Sequence, residues 1–222
     1  NLLKLKSPFC VFTAPENSPD IEPLPALTNG YITFGSTHTT ARLNKKVIFL
    51  WADILKKVKN AQLILFRTTL CQSIIERISE WFDDAGVQLA RIQFLNRVPD
   101  SGHLTVYNSI DCLLDTFPWS GHTTACEALW MGVPVITLYG DRHAGRMVSS
   151  VLHFAGYKEL ITYSEAEYVD KAVHITRDIA ALDKLRKTLR DKMKNSRLMD
   201  TTGYVREVES VYRTLWESYC LK

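Results

Sequence analysis

Residues 115–140, DTFPWSGHTTACEALWMGVPVITLYG, decide how the rest of the chain is read. DCLLDT (111–116) is strand-like, VPVITLY (133–139) is a second buried strand, and between them Gly121, His122, Thr123 and Thr124 open a helix running to Met131. The first turn of a helix carries unpaired backbone N–H groups and the positive end of the helix dipole. A glycine there lets the backbone approach a ligand closely, and threonine hydroxyls add donors, so a phosphate can be held without a lysine. A plainer reading also fits: Thr124 and Glu127 have the spacing of a capping box, in which two side chains only satisfy the helix end. Local pattern does not separate the two. His122 and the place at a strand's carboxyl end favour the anion site.

Working outward, the same alternation of strand and helix fills the chain from residue 30. YITFGS (31–36), AQLILFR (61–67), RIQFLN (91–96) and ELIT (159–162) read as further strands. VIFLWADILKKV (47–58) carries Val47, Leu50, Trp51, Ile54, Leu55 and Val58 at helical spacing, and 71–85 places Ile74, Ile78 and Phe82 on one helix face. Shorter or later helices are expected at 101–109, 143–155, 164–177, 179–195 and 202–219. Short apolar strands separated by helices imply right-handed crossovers and a parallel sheet covered on both faces. The fold class is therefore α/β, a Rossmann-like doubly wound parallel sheet with C-terminal helices. Such sheets bind ligands at the carboxyl ends of their strands.

The 222 residues, 46% of them hydrophobic, suffice for one lobe with appendages and a proper core. Residues 1–29, with Pro8, Pro15, Pro19, Pro23 and Pro25, read as an extended connector; 30–200 form the lobe; 201–222 form a last helix packing back on it. The opening NLLKLKSPF lacks an initiating methionine, so a longer parent protein with a preceding lobe is expected. A net charge of +3 does not argue for nucleic acid, and no apolar run suits a bilayer. Five scattered cysteines without a CxxC pair argue against a disulfide framework or zinc site and make a reducing cytoplasm the default. In LRKTLRDKMKNSR (185–197) acidic residues interleave with basic ones, which reads as a solvated helix face.

Two further loops fall on the same sheet edge. Gly35-Ser36-Thr37-His38-Thr39-Thr40-Ala41-Arg42 follows the first strand and leads to a helix near Asn44; Arg42 offers a fixed cation with fork geometry for two oxygens. Arg97-Val98-Pro99-Asp100-Ser101-Gly102-His103 follows the strand at 91–96, and His103 is placed to meet a base. There is no DxD pair, no Walker A lysine loop, no GxGxxG and no GxSxG elbow.

FGS (34–36), LWADIL (50–55) and above all DTFPWSGHTTACEALWMGVPVITLYGDRHAGR (115–146) resemble the O-linked N-acetylglucosamine transferase family. The bacterial members, which carry tetratricopeptide repeats, look nearest. The resemblance implies the C-terminal lobe of a two-lobed GT-B glycosyltransferase, inverting and metal-independent. It implies no cofactor, a UDP-sugar donor (UDP-N-acetylglucosamine), and an acceptor protein or peptide bound through an N-terminal lobe. It gives Gly121, His122, Thr123 and Thr124 to the diphosphate and Glu127 to the ribose; Val98 and His103 go to the nucleoside, and Arg42 to the departing diphosphate. Arg42 stands where the family has a lysine, Thr39 where Gln or Asn is usual, and Asp100 where some relatives have a lysine. Two alternatives stay open: a non-catalytic nucleotide-binding or interaction module derived from that lobe, and a GT-B nucleotide-sugar epimerase. The isolated piece is expected to bind UDP without transferring sugar.

Overall fold

The computed structural model describes residues 5–221. A short helix, α1 (Pro25–Asn29), precedes β1 (Thr33–Ser36), and α2 (Lys45–Lys57), β2 (Gln62–Phe66), α3 (Gln72–Asp84) and β3 (Ile92–Leu95) follow. The second half comprises β4 (Cys112–Leu114), α4 (Thr123–Trp130), β5 (Val135–Leu138), α5 (Met147–Ala155), β6 (Ile161–Thr162), α6 (Glu165–Ile175), α7 (Ile179–Lys194) and α8 (Thr201–Cys220). The six strands form one sheet in the order β3-β2-β1-β4-β5-β6, and every pairing is parallel.

The strands' composition follows from that arrangement. A parallel strand covered on both faces has no solvent side, so it reads as a run rather than an alternation. Leu63, Ile64, Leu65 and Phe66 of β2 are all buried, as are Cys112, Leu113 and Leu114 of β4. Helix α2 starts where Asn44 accepts the Val47 amide (3.1 Å), and it buries Val47, Ile48, Trp51, Ala52, Ile54 and Leu55 on one stripe. It packs with α3 and α6, whereas α4 packs with α5 and α7, so the sheet is covered on both faces.

Three expectations meet a different structure. The proline-rich entry is not wholly an extended connector: Leu24 and Ala26 belong to the core, and Pro25 starts α1 at a first-turn position that needs no amide proton. The basic stretch on α7 is not simply a solvated face. Arg186 is buried and donates to Glu22 O (2.9 Å), Ile110 O (2.9 Å) and Asn108 Oδ1 (3.4 Å), and Arg190 donates to Trp130 O (2.6 Å) and Pro19 O (2.8 Å). Sequence spacing sees the charge but not the carbonyls that receive it. Helix α8 buries none of its residues, and Val205, Tyr212, Leu215, Trp216 and Tyr219 stay exposed. Its named bonds to the lobe's N-terminal segment come only from its first two turns, at Tyr204 and Glu207.

Replacing Arg186 by Ala strands buried carbonyl oxygens and opens a void at once. Urea denaturation of Arg186→Ala should show a loss of roughly 3 kcal/mol. A loss within about 0.5 kcal/mol, the range of an ordinary surface substitution, would mean that the guanidinium carries none of the docking of the entry segment.

Candidate functional site

The chain builds outward from β1 to β2 and β3, then crosses back to β4 and builds the other way to β5 and β6. At that reversal the loops leaving β1 and β4 part toward opposite faces and leave a crevice at the sheet's carboxyl edge. Both polar loops singled out from the sequence meet there.

Asp115, the first residue past β4, fixes the crevice floor. It is fully buried; its Oδ1 accepts the Gly121 amide (2.7 Å) and its Oδ2 accepts the Thr137 hydroxyl from β5 (2.6 Å). His38, from the β1 loop, brings Nε2 to 3.0 Å from Oδ1, though not aligned as a hydrogen bond. The other ring nitrogen of His38 lies 2.8 Å from Ser36 Oγ. On the main chain, Asp115 O accepts the Tyr168 hydroxyl (2.8 Å), which in turn accepts Trp51 Nε1 (3.0 Å). One carboxylate residue thus joins both switch-point loops to β5, α6 and α2.

The capping box, the plainer of the two readings of this turn, is not formed. Helix α4 begins at Thr123 with His122 before it, so Thr124 lies inside the first turn and no side chain caps the end. Thr124 Oγ1 is buried and has no hydrogen-bond partner. Glu127 turns the other way: Oε1 is 3.1 Å from His103 Nε2, and Oε2 lies 3.2 Å from the Tyr107 hydroxyl. Tyr107 OH is also 3.2 Å from Thr124 O and 3.0 Å from Thr37 Oγ1. Burial, then the facing Glu127 carboxylate, hold the Tyr107 phenol well above its ordinary pKa, so it keeps its proton to donate.

Arg42 closes the β1 side. Its Nη1 donates to Ser120 O (2.7 Å), its guanidinium carbon sits 4.5 Å from the centroid of the Trp119 ring, and its buried Nε has no partner. Burial lowers its pKa, with Asp115 opposing, yet an arginine stays cationic. Thr39 is half-buried, and its carbonyl accepts the Arg42 amide (3.0 Å). Asn44, the α2 cap, also donates to Phe117 O (2.8 Å), which ties the two loops together again. His122 is half-buried; burial, then Arg42 and His143, push its pKa down and favour the neutral imidazole.

The structure therefore joins His103, Glu127 and Thr124 around Tyr107, and Arg42 to Ser120 beside Gly121 and His122. Thr123 and Val98 remain exposed outside those bonds, Val98 by 48%. Sequence reasoning passed over His38, Arg67, Tyr107, Asp115 and Trp119. Arg67 was within reach of the strand-end rule, since it directly follows β2, and its Nη1 donates to Thr37 O (3.2 Å). A groove of about 960 Å³ opens elsewhere, beside α6, lined by Lys57, Glu167, Asp170, Lys171 and His174. Lys57 and Asp170 pair with each other there (3.0 Å).

A family model described as glycosyl transferase family 41 matches residues 25–208. The chain is 36% identical over 221 residues to a tomato (Solanum lycopersicum) protein named probable UDP-N-acetylglucosamine–peptide N-acetylglucosaminyltransferase SPINDLY, covering 99% of this chain and 24% of that protein. A SPINDLY protein of the same description from Arabidopsis thaliana matches with the same identity and coverage. Among solved structures, a mutant of Thermobaculum terrenum O-GlcNAc transferase superposes with a TM-score of 0.85 at 36% identity, over 94% of this chain and 39% of that one. Sucrose-phosphate synthase from Thermosynechococcus elongatus shares the fold alone, with a TM-score of 0.59 at 17% identity over 90% of this chain and 52% of that one. The fold is the C-terminal lobe of a GT-B glycosyltransferase, and the chain spans about a quarter of the length of the curated relatives it matches. The sequence pointed to bacterial members; these curated relatives are plant proteins.

A side chain at Gly121 has nowhere to go. A Cβ there would stand 2.5 Å from His38 Nε2 and 2.9 Å from Thr124 Oγ1. Gly121→Ala should lose roughly 1–3 kcal/mol in a chemical melt as the turn is displaced. An unchanged midpoint would show that the turn relaxes freely and is not pinned by Asp115.

Proposed function

The chain belongs to glycosyl transferase family 41, and from that premise we propose that it is the donor-binding lobe of a UDP-sugar-dependent protein O-glycosyltransferase. The observation that carries the reading is a pair of buried donors without partners at the switch point, Thr124 Oγ1 on α4 and Arg42 Nε on the β1 loop. Buried polar groups are ordinarily satisfied, so two orphans at a switch point fit a ligand rich in acceptor oxygens. A diphosphate is such a ligand.

In an inverting transfer the acceptor hydroxyl oxygen bonds to the anomeric carbon as the bond from that carbon to the β-phosphate oxygen breaks. The acceptor proton is lost, and negative charge grows on the departing UDP. The α4 amides at Thr123 and Thr124 and the Arg42 guanidinium would meet that charge without a metal, already oriented by Asp115 and Ser120 O. Glu127, fixed by Tyr107 and His103, would accept from the ribose hydroxyls, with the Val98 backbone and His103 beside the uracil. The relatives' names support N-acetylglucosamine as the sugar and a peptide as the acceptor. No helix among the described residues is long and apolar enough to cross a membrane, and a cytoplasmic setting is the reading we adopt.

Transfer also requires a surface that presents the acceptor hydroxyl to the sugar. The matched region is 24% of the tomato relative, and the acceptor surface is assigned to the remainder. The 222 residues should therefore bind UDP and leave sugar untransferred. A non-catalytic nucleotide-binding module is the competing reading, favoured by Asp100, an exposed carboxylate on the loop leading to His103.

Thermal unfolding with UDP, in buffer containing EDTA, tests the donor site. UDP at about a hundred times its Kd should add roughly 2.7 kcal/mol of stability. Arg42→Ala and Thr124→Ala should each weaken UDP by about tenfold or more, the size of a lost charge-assisted hydrogen bond. An absent shift at millimolar UDP, or variants that bind as the parent does, would remove the assignment. For Glu127, the comparison is UDP against its 2′,3′-dideoxy analogue. The parent should prefer UDP, and Glu127→Ala should bind both alike; a preference kept in the variant places the ribose elsewhere.

A further inference from the structure

Residues 6–12 are anchored at both ends on the C-terminal elements and reach the anion crevice between those anchors. At one end Arg197 Nη1 donates to Lys6 O (2.9 Å), and the Ser7 hydroxyl and Lys6 amide bond the Glu207 carboxylate of α8. At the other, the Phe12 amide donates to Leu198 O (2.8 Å). Between these anchors the segment sets two residues directly on His122. Phe9 meets its ring at a tilt of 41°, 4.9 Å between centroids, and meets His143 edge-on at 5.3 Å, while Cys10 Sγ lies 2.8 Å from His122 Nε2.

The direction of that last bond has a chemical consequence. A neutral imidazole has one N–H and one strong acceptor lone pair, while a thiol is a weak donor and a weaker acceptor. Burial raises the pKa of Cys10, so the sulfur keeps its proton, and His122 is held neutral. An S–H bond into Nε2 uses the strong lone pair; an N–H bond into sulfur would spend the imidazole's only proton on a poor acceptor.

We propose that Cys10 is a positioning residue for donor binding: its thiol donates to His122 Nε2, which keeps the ring proton on Nδ1 and leaves an N–H to offer an anionic oxygen at the mouth of α4. The inference rests on the crevice being a diphosphate site. Which nitrogen of a histidine is protonated is set by the bond the other nitrogen makes. Without the thiol, a ring free to exchange tautomers would present a lone pair to a phosphate oxygen for part of the time, and the two would repel.

Nitrogen-15 spectra of the histidine side chains in the 222-residue chain, with His122 assigned by loss of its signals in His122→Gln, read the tautomer directly. The parent should show the proton on Nδ1 of His122. Cys10→Ala should shift the ring toward the Nε2–H form and raise the UDP Kd about three- to tenfold, as loss of one oriented hydrogen bond does. Cys10→Ser, whose hydroxyl can also donate, should restore both. A parent ring protonated on Nε2 would overturn the proposal, as would a Cys10→Ala variant that keeps both the parent tautomer and the parent Kd. A parent that binds no UDP would overturn the donor reading itself, and the tautomer data would still decide whether Cys10 donates to His122.

Discussion

The structure depends most on the buried carboxylate of Asp115. A charge in an interior of low polarity is tolerated only where its lone pairs are filled, and unfilled it costs several kcal/mol. Here the Gly121 amide and the Thr137 hydroxyl fill two positions, and the His38 ring stands beside one oxygen. Satisfying one side chain therefore dictates the turn that starts α4, the seat of the β1 loop, and the spacing of β4 from β5. The carbonyl of the same residue, through Tyr168 and Trp51, sets the two helices on the other face. The floor of the crevice is thus held by buried groups bonded to one another.

That pre-arrangement bears on how charge would be met. Arg42 is anchored at one nitrogen by Ser120 O and lies against Trp119, so its guanidinium plane is already chosen. A fork held in this way loses less freedom on binding than a lysine at the same place would. Arginine at this position thus presents an oriented charge rather than a mobile point charge. It also explains an otherwise odd feature of the loop, the exposed indole of Trp119 at 48%, which serves as the surface the cation rests on.

The sheet was legible in the sequence because strands such as β2 and β4 are short apolar runs, and helices such as α2, α6 and α7 start at a capping side chain, Asn44, Ser164 or Asp178. The polar loops at the strand ends were legible for the same reason. The capping box, the plainer of the two readings of this turn, does not form because spacing alone does not fix where a helix begins: Asp115 claims the Gly121 amide, and α4 starts at Thr123, two residues earlier than the box requires. What lay out of reach was every partner chosen across the fold. Arg186 and Glu22 are separated by most of the chain, and so are Cys10 and His122. No period or spacing connects such pairs; only the folded path of the backbone does.

The entry segment shows where the physical unit begins. The matched family model starts at residue 25, while the likeness to the plant relatives covers 99% of the chain; a boundary drawn at the model's edge would cut into the fold. It would sever Leu24 from the core, remove the Glu22 carbonyl from Arg186 and the Pro19 carbonyl from Arg190, and leave two guanidinium groups short of acceptors in the body of the lobe. The edge of the family model and the edge of the folded unit are offset by several residues. A truncation placed at the model's edge would make a different, weaker molecule from one placed by following the hydrogen bonds.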